Sequence, residues 1–329
     1  MENDNKTNIS ELLAARKYNP DYQPSQETNI FTIEGKKVGH AQNFVTITGL
    51  PKAGKSTFIA AIIASAFSTF DIFTMKLSVP SDRRKICYFD TESSDFDFYR
   101  QVNKIKHFSE KEHLPEWFNA YQVREDASHV IRKMIDTYLS ENLDCSVLIV
   151  DGLLDLINNV NDEKESSLLT KWLKKVTKVY NILLITVIHQ SKSNLSTTGH
   201  IGSSSDRFAQ STLEITKNKE KKCYVLSSKF MRSDMDFTPV TLMNVNGSFI
   251  QIDSEKQTTG NTKKASELDE IESKRICNWI ILSPLYYDEV INEIIERQAV
   301  NKVYAKQLIK IWINKGWIVK NKENKYIVK

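Results

Sequence analysis

The chain is poor in cysteine and has no cysteine pair. Cys87, Cys145, Cys223 and Cys277 are far apart, and no C-x-x-C spacing occurs. This argues against a zinc ribbon and against a disulfide framework, and for a reducing compartment. His40, His107, His113 and His129 have no partners at ligand spacing, so no metal centre is read from them. No apolar run is long enough to span a membrane. The N-terminal stretch Met1-Glu2-Asn3-Asp4-Asn5 is polar and lacks a signal-peptide pattern. The expected location is therefore the cytoplasm, with no membrane partner. No internal repeat is evident, and a net charge of +4 is too mild to name a partner by itself. Hydrophobic content of 40% and charged content of 26% over 329 residues suit one sizeable α/β core and a smaller module.

What the chain does have is the run Thr48-Gly49-Leu50-Pro51-Lys52-Ala53-Gly54-Lys55-Ser56-Thr57, which fits G-x-x-x-x-G-K-[ST], the P-loop. Its glycines let the backbone turn and aim N–H groups at an oxyanion, and the following helix adds a positive end. Lys55 is placed to reach the β- and γ-phosphates, and the Ser56 hydroxyl to bind Mg²⁺. The flanks agree: Phe44–Thr48 alternates like a strand, and Phe58–Ala64 reads as a buried helix. ATP and Mg²⁺ are the expected cofactors.

Residues 1–29 form a polar arm with one short helix within Ile9–Arg16. A hairpin around Glu34-Gly35-Lys36 leads into an ATPase domain over 30–253. Strands are predicted at Lys85–Asp90, Ser146–Asp151 and Ile182–Ile188, and further, closely spaced antiparallel ones at Gln210–Glu214, Cys223–Ser227 and Val240–Asn244. Helices are predicted from Phe96 to Phe108, Ala127 to Asn142 and Ser166 to Tyr180. In the last of these, Leu169, Trp172, Leu173 and Val176 face inward and Lys171, Lys174, Lys175 and Lys178 face out. The aromatic run Phe96, Phe98 and Tyr99 reads as helix packing. Strands alternating with helices predict an α/β fold with a mostly parallel sheet. Residues 254–272 read as a linker. Residues 273–329 hold three helices and a hairpin around Asn321–Asn324, a winged-helix order. From Arg297 to Lys329 there are nine Lys or Arg against one acid, Glu323, a net of +8. Lys302, Lys306 and Lys310 share one flank of the third helix, as contact with duplex phosphates requires.

Hydrolysis needs a metal carboxylate and a group that orients or deprotonates water. Asp151 ends an all-apolar strand, the place for the Walker B acid. Asp90 and Glu92 end the strand before it, across the sheet from the P-loop. Glu92 is favoured as the base because it leaves the strand whereas Asp90 continues it.

These features in this order, with Ile188-His189-Gln190-Ser191-Lys192 closing a later strand, resemble the RecA-like ATPases. Among these the chain is most similar to the RepA and DnaB type of hexameric replicative helicases and their plasmid-borne relatives, over about residues 30–250. The resemblance implies that Glu92 is the catalytic glutamate. It implies that His189 or Gln190 senses the γ-phosphate with Lys192 nearby, and that the segments after Asp151 and after Lys192 face a central channel. The second of these, Asn194–Asp206, is rich in Ser, Thr and Gly and reads either as a single-stranded-DNA loop or as an ordinary surface loop. The resemblance also places Lys229 and Arg232 in a neighbouring subunit's ATP site, which implies a homo-oligomer, a hexamer. DnaB-type proteins carry a large N-terminal domain where this chain has about thirty residues, and a C-terminal winged helix lies outside the minimal RepA pattern. The expectation is thus an ATPase acting on DNA, either as a ring helicase or as an accessory ATPase of a plasmid or mobile element. The rival readings are an ATP-switched DNA-binding regulator that does not unwind and, more remotely, a small-molecule kinase.

Overall fold

The strand that leads into the P-loop is buried along its whole length, and the sheet is built outward from it. The structure is a computed structural model that describes residues 9–23, 28–190, 202, 206–245, 248–252, 270–298 and 302–329. Lys192, most of the 194–206 loop and most of the 254–272 linker lie outside the described residues, as does the side chain of Lys302. By its contacts the chain divides into two units, 1–217 with 226–237, and 218–225 with 238–329.

In the first unit, β1 (Asn29–Ile33) pairs antiparallel with β2 (Lys36–His40) and with β4 (Met75–Leu77). The main sheet contains β3 (Phe44–Gly49), β5 (Lys85–Asp90), β6 (Phe118–Gln122), β7 (Cys145–Asp151), β8 (Leu183–His189) and β9 (Ser211–Asn218). Its order is β9-β3-β8-β7-β5-β6, and every one of these neighbours is parallel. β10 (Cys223–Met231) lies next to β9. The flanking helices are α2 (Lys55–Ser65), α3 (Asp95–Ser109), α4 (Ser128–Glu141) and α5 (Glu163–Val179). α1 (Ile9–Arg16) has no buried residue. The α/β class and the mostly parallel sheet flanked by helices are as the sequence predicts.

Burial explains the run of apolar residues in each central strand. β3 and β7 have no exposed position, because helices cover both faces of the sheet. α2 is buried at every position except Ser56, which suits its unbroken Phe58-Ile59-Ala60-Ala61-Ile62-Ile63-Ala64 core. α5 is amphipathic instead: Ser166, Leu169, Thr170, Leu173, Val176 and Thr177 are buried and its lysines are not. One expectation fails on α3. Phe98 stacks on Tyr88, with ring centroids 6.3 Å apart, but Phe96 and Tyr99 are 68% and 63% exposed. The inward arc of α3 is Gln101, Ile105 and Ser109, spaced four residues apart over about two turns, and it excludes the two other N-terminal rings.

In the second unit, β11 (Val240–Val245) and β12 (Ser248–Ile252) form an antiparallel hairpin. Three helices follow, α6 (Glu270–Ile280), α7 (Tyr287–Gln298) and α8 (Lys302–Asn314), then a hairpin of β13 (Ile318–Lys320) and β14 (Tyr326–Val328). Ile280, Val290, Ile294, Leu308, Ile309 and Trp312 share one apolar core. Trp312 is fully buried, and its indole N–H donates to Ser273 Oγ at 3.1 Å. Among the described residues no helix is long and apolar enough to cross a membrane.

Candidate active site

The loop between β3 and α2 has the backbone that its sequence demands. Gly54 sits at φ 96°, a left-handed conformation that glycine adopts without steric cost, and Ala53 N–H closes a turn onto Leu50 C=O at 3.1 Å. α2 starts at Lys55 with no side chain capping it. Its first N–H groups and its dipole therefore face the loop, the arrangement that accepts an anion. Lys55 is 6% exposed. Its ammonium donates to Gly49 C=O at 3.1 Å, to Leu50 C=O at 3.0 Å and to His189 Nδ1 at 3.0 Å. Burial holds its pKa below the usual lysine value, while the charges of Glu92 and Asp151 act in the other direction.

His189 links this lysine to the acid on the facing strand. Its Nε2 lies 2.7 Å from Glu92 Oε1 and 3.0 Å from Oε2. With Lys55 donating to Nδ1, the proton of a neutral imidazole sits on Nε2 and is donated to the Glu92 carboxylate. Lys55, His189 and Glu92 thus form one hydrogen-bonded chain, drawn from α2, the end of β8 and the turn after β5.

The two strand-end acids differ in what holds them. β5 and β7 pair so that Asp90 stands opposite Asp151. Asp90 is 1% exposed, and its carboxylate is occupied by its own turn: Oδ1 accepts from the N–H of Glu92 at 3.1 Å and of Ser93 at 2.8 Å. Its Oδ2 receives the hydroxyl of the buried Tyr88 at 3.1 Å, and the same hydroxyl lies 3.2 Å from Asp151 Oδ2. Asp151 is buried beside Asp90 and Glu92, and burial first and those charges second push its pKa up to about 7, against Tyr88 and Lys55, which pull it down. A buried carboxylate in such company calls for a cation. Asp151 Oδ1 and the Ser56 hydroxyl have no hydrogen bond to another described residue, so both stand available to Mg²⁺; Ser56 is exposed at the loop.

Thr91 locks the two strand ends together. Its hydroxyl contacts Asp151 C=O at 3.0 Å, Gly152 C=O at 3.2 Å and Asp155 Oδ2 at 2.5 Å. Gly152 has φ 117°, and a Cβ there would fall 1.9 Å from Thr91 Oγ1. The close approach requires glycine. Asp155, on the 3₁₀ turn Leu153–Leu156, is held above the usual carboxylate range mainly by burial.

Gln190 and His189 are separated by their directions. Gln190 is 5% exposed, and its amide donates to Glu214 Oε1 on β9 at 2.5 Å. The same amide lies 3.5 Å from Thr48 Oγ1, whereas His189 meets Lys55. Lys229, on β10, pairs with Asp206 at 3.1 Å, and the Arg232 guanidinium is bonded to the Arg207 carbonyl. On α8, Lys306 and Lys310 are exposed, opposite the buried Tyr304, Ala305, Leu308, Ile309 and Trp312. Sequence reading did not single out Tyr88, Thr91 or Asp155. Thr91 and Asp155 flank the chosen acids and were open to notice; Tyr88 looked like any apolar strand residue. Nor did sequence reading single out Gln101 and Lys104 on α3, where Gln101 Nε2 donates to Ser56 C=O at 2.6 Å and Lys104 Nζ to Thr57 Oγ1 at 3.4 Å.

No protein-family model matches the chain, and no curated protein matches it. Among solved structures, the crystal structure of the RadB recombinase is similar to it. The likeness covers 64% of this chain and 90% of that one, at 13% sequence identity and a TM-score of 0.42. The functional reading rests on the residues themselves.

Proposed function

We propose that the protein is a Mg²⁺-dependent, RecA-like ATPase that acts on DNA as a homo-oligomer. The observation that carries this reading is the convergence of Lys55, His189, Glu92 and Asp151 on an uncapped helix start. Residues 49–57 cradle the triphosphate, with Lys55 leaving its carbonyl partners for the β- and γ-oxygens. Ser56 and Asp151 would hold Mg²⁺, which would supply charge neutralisation at the transferring phosphoryl group. Glu92 is the group that orients water, because it is half exposed at the site while Asp90 is spent on the turn. His189 is favoured over Gln190 as the γ-phosphate sensor, since it already bridges Lys55 and Glu92.

Lys229 and Arg232 are proposed to exchange their contacts to Asp206 and Arg207 for a neighbour's γ-phosphate on assembly. Hydrolysis would then depend on oligomerisation. Residues 30–253 carry the ATP chemistry and the loops that hold single-stranded DNA. Residues 273–329 are proposed as a winged helix that holds duplex through Lys302, Lys306 and Lys310. Within this reading the chain is a RepA/DnaB-like ring helicase or an accessory ATPase of replication or mobilisation. A second reading is favoured by the separate C-terminal unit with exposed lysines on α8: an ATP-switched DNA-binding regulator that does not unwind.

The test is the ATPase rate of wild type and Lys55→Ala, with and without single-stranded and duplex DNA, and with mass measured in ATP. Turnover that is unchanged in Lys55→Ala removes the ATPase reading. Turnover that duplex stimulates without strand separation favours the regulator.

A further inference from the structure

The outer face of α5 takes no part in the ATP site. Its Lys171, Lys174, Lys175 and Lys178 are all exposed. At 3.6 residues per turn these four positions fall within about 100° of arc, diametrically opposite the buried Leu169, Leu173 and Val176. From Lys171 to Lys178 the helix rises about 10 Å, so the four ammonium groups form a row that a short stretch of strand can follow. Among the described residues none of the four lysines is in an ion pair, and three carboxylates of the same unit have other partners. Glu165 accepts from the N–H of Asn158 and Asn159, Asp136 from the Trp172 indole, and Asp206 pairs with Lys229. The face therefore keeps its charge.

A ring adjoins these lysines. Phe208 is 37% exposed, and Lys174 Nζ lies 3.2 Å from its centroid, with the Arg207 guanidinium carbon at 5.4 Å. A cation over one aromatic face, with further cations in a row beside it, matches a ligand that alternates planar bases and phosphates. A duplex offers only phosphates here, because its bases are stacked on one another; a single strand offers both. We propose that Lys171, Lys174, Lys175 and Lys178 with Arg207 and Phe208 form a docking surface for single-stranded nucleic acid, outside the P-loop site and outside the loops after Asp151 and Lys192. The lysines take the phosphates and Phe208 takes a base.

The test is fluorescence anisotropy of a labelled oligothymidylate on the full chain without nucleotide, over a salt series, with a duplex of equal length and polyglutamate as competitors. Leaving out nucleotide separates this outcome from that of the ATPase reading. Lys171→Ala with Lys175→Ala should lower the slope of log affinity against log salt by about 1.4, at about 0.7 per lost contact to a single strand. Phe208→Leu keeps an apolar side chain against the Lys174 stem but removes the stacking face. It should weaken oligothymidylate about five-fold or more with no change in thermal melting, and Phe208→Trp should restore it. Repeating the series with Lys306→Ala and Lys310→Ala present removes the α8 lysines as the source of the signal. Equal slopes in wild type and the double lysine variant would overturn the proposal. So would polyglutamate that competes as well as the oligonucleotide and ignores Phe208, which would mark the face as a site for an acidic protein.

Discussion

Asp151→Asn should stabilise the ligand-free protein, by an amount that grows with pH. The Asp151 carboxyl is pushed from its ordinary 3.8 up to about 7, chiefly because β7 buries it and then because Asp90 and Glu92 stand beside it. The unfolded chain has released this proton by about pH 5, and the folded chain holds it to about pH 7. Between those limits the folded state binds more protons, so stability falls as pH rises, by about 1.4 kcal/mol per pH unit. From about pH 5.5 to 8.5 wild type should lose about 2 kcal/mol at this site, about four-fifths of it below pH 7. Asn has no proton to lose and can still accept from Tyr88. At about 2–4 °C per kcal/mol for a domain of this size, the melting temperature of Asp151→Asn minus that of wild type should grow by about 4–8 °C over that range. The melts are run in chelator. Added Mg²⁺ should raise wild type more than Asp151→Asn, since only wild type gives the ion a carboxylate. A gap that stays constant from about pH 5.5 to 8.5 would refute the buried, proton-holding carboxylate and with it this account of metal binding.

Other substitutions address single contacts. Glu92→Gln should bind a fluorescent ATP analogue yet hydrolyse ATP about 10²–10⁴-fold more slowly; if Asp90→Asn does this and Glu92→Gln does not, the assignment of the base is reversed. Gly152→Ala must relieve a 1.9 Å overlap with Thr91 Oγ1 at φ 117° and should cost about 1–3 kcal/mol in urea unfolding. Adding Thr91→Ala should return part of that loss, and no recovery would mean that the overlap is not its source. Arg232→Ala should be inactive in an assembly, and mixing it with Lys55→Ala should restore turnover if each supplies what the other lacks across an interface. Lys302→Ala, Lys306→Ala and Lys310→Ala together should weaken duplex binding alike on every sequence and flatten its salt dependence by about one unit per lost phosphate contact; a loss confined to one sequence would point to base reading instead.

Several strands could not be read from the chain. β6 is Phe-Asn-Ala-Tyr-Gln, with little alternation, and is a strand because β5 offers it a ladder at the end of the sheet order. β4 has three residues and exists by pairing with β1. β12 is not legible in the sequence and exists by pairing with β11, register-matched from Thr241 to Val245. β9 and β10 run longer than expected, to Asn218 and Met231, because polar residues extend a ladder once it has started. The long amphipathic helices were readable, since their periodic apolar positions announce a buried face before any partner is known.

The P-loop was determined by sequence alone. Its glycines, its lysine and the start of α2 are contiguous, so local backbone conformation suffices to assemble the cradle. The place of Asp90 and Asp151 at strand ends was legible too, because an apolar run closed by an acid reads as a buried strand. Which side chains meet was decided only by tertiary structure. Asp90 and Asp151 come opposite each other through the register of β5 and β7, and His189 reaches Lys55 and Glu92 because β8 lies between β3 and β7. Adjacent residues on a strand point to opposite faces, so His189 turns to the P-loop and Gln190 to Glu214. Strand order and register are set by pairing over a hundred or so residues of chain, and no local pattern carries that information.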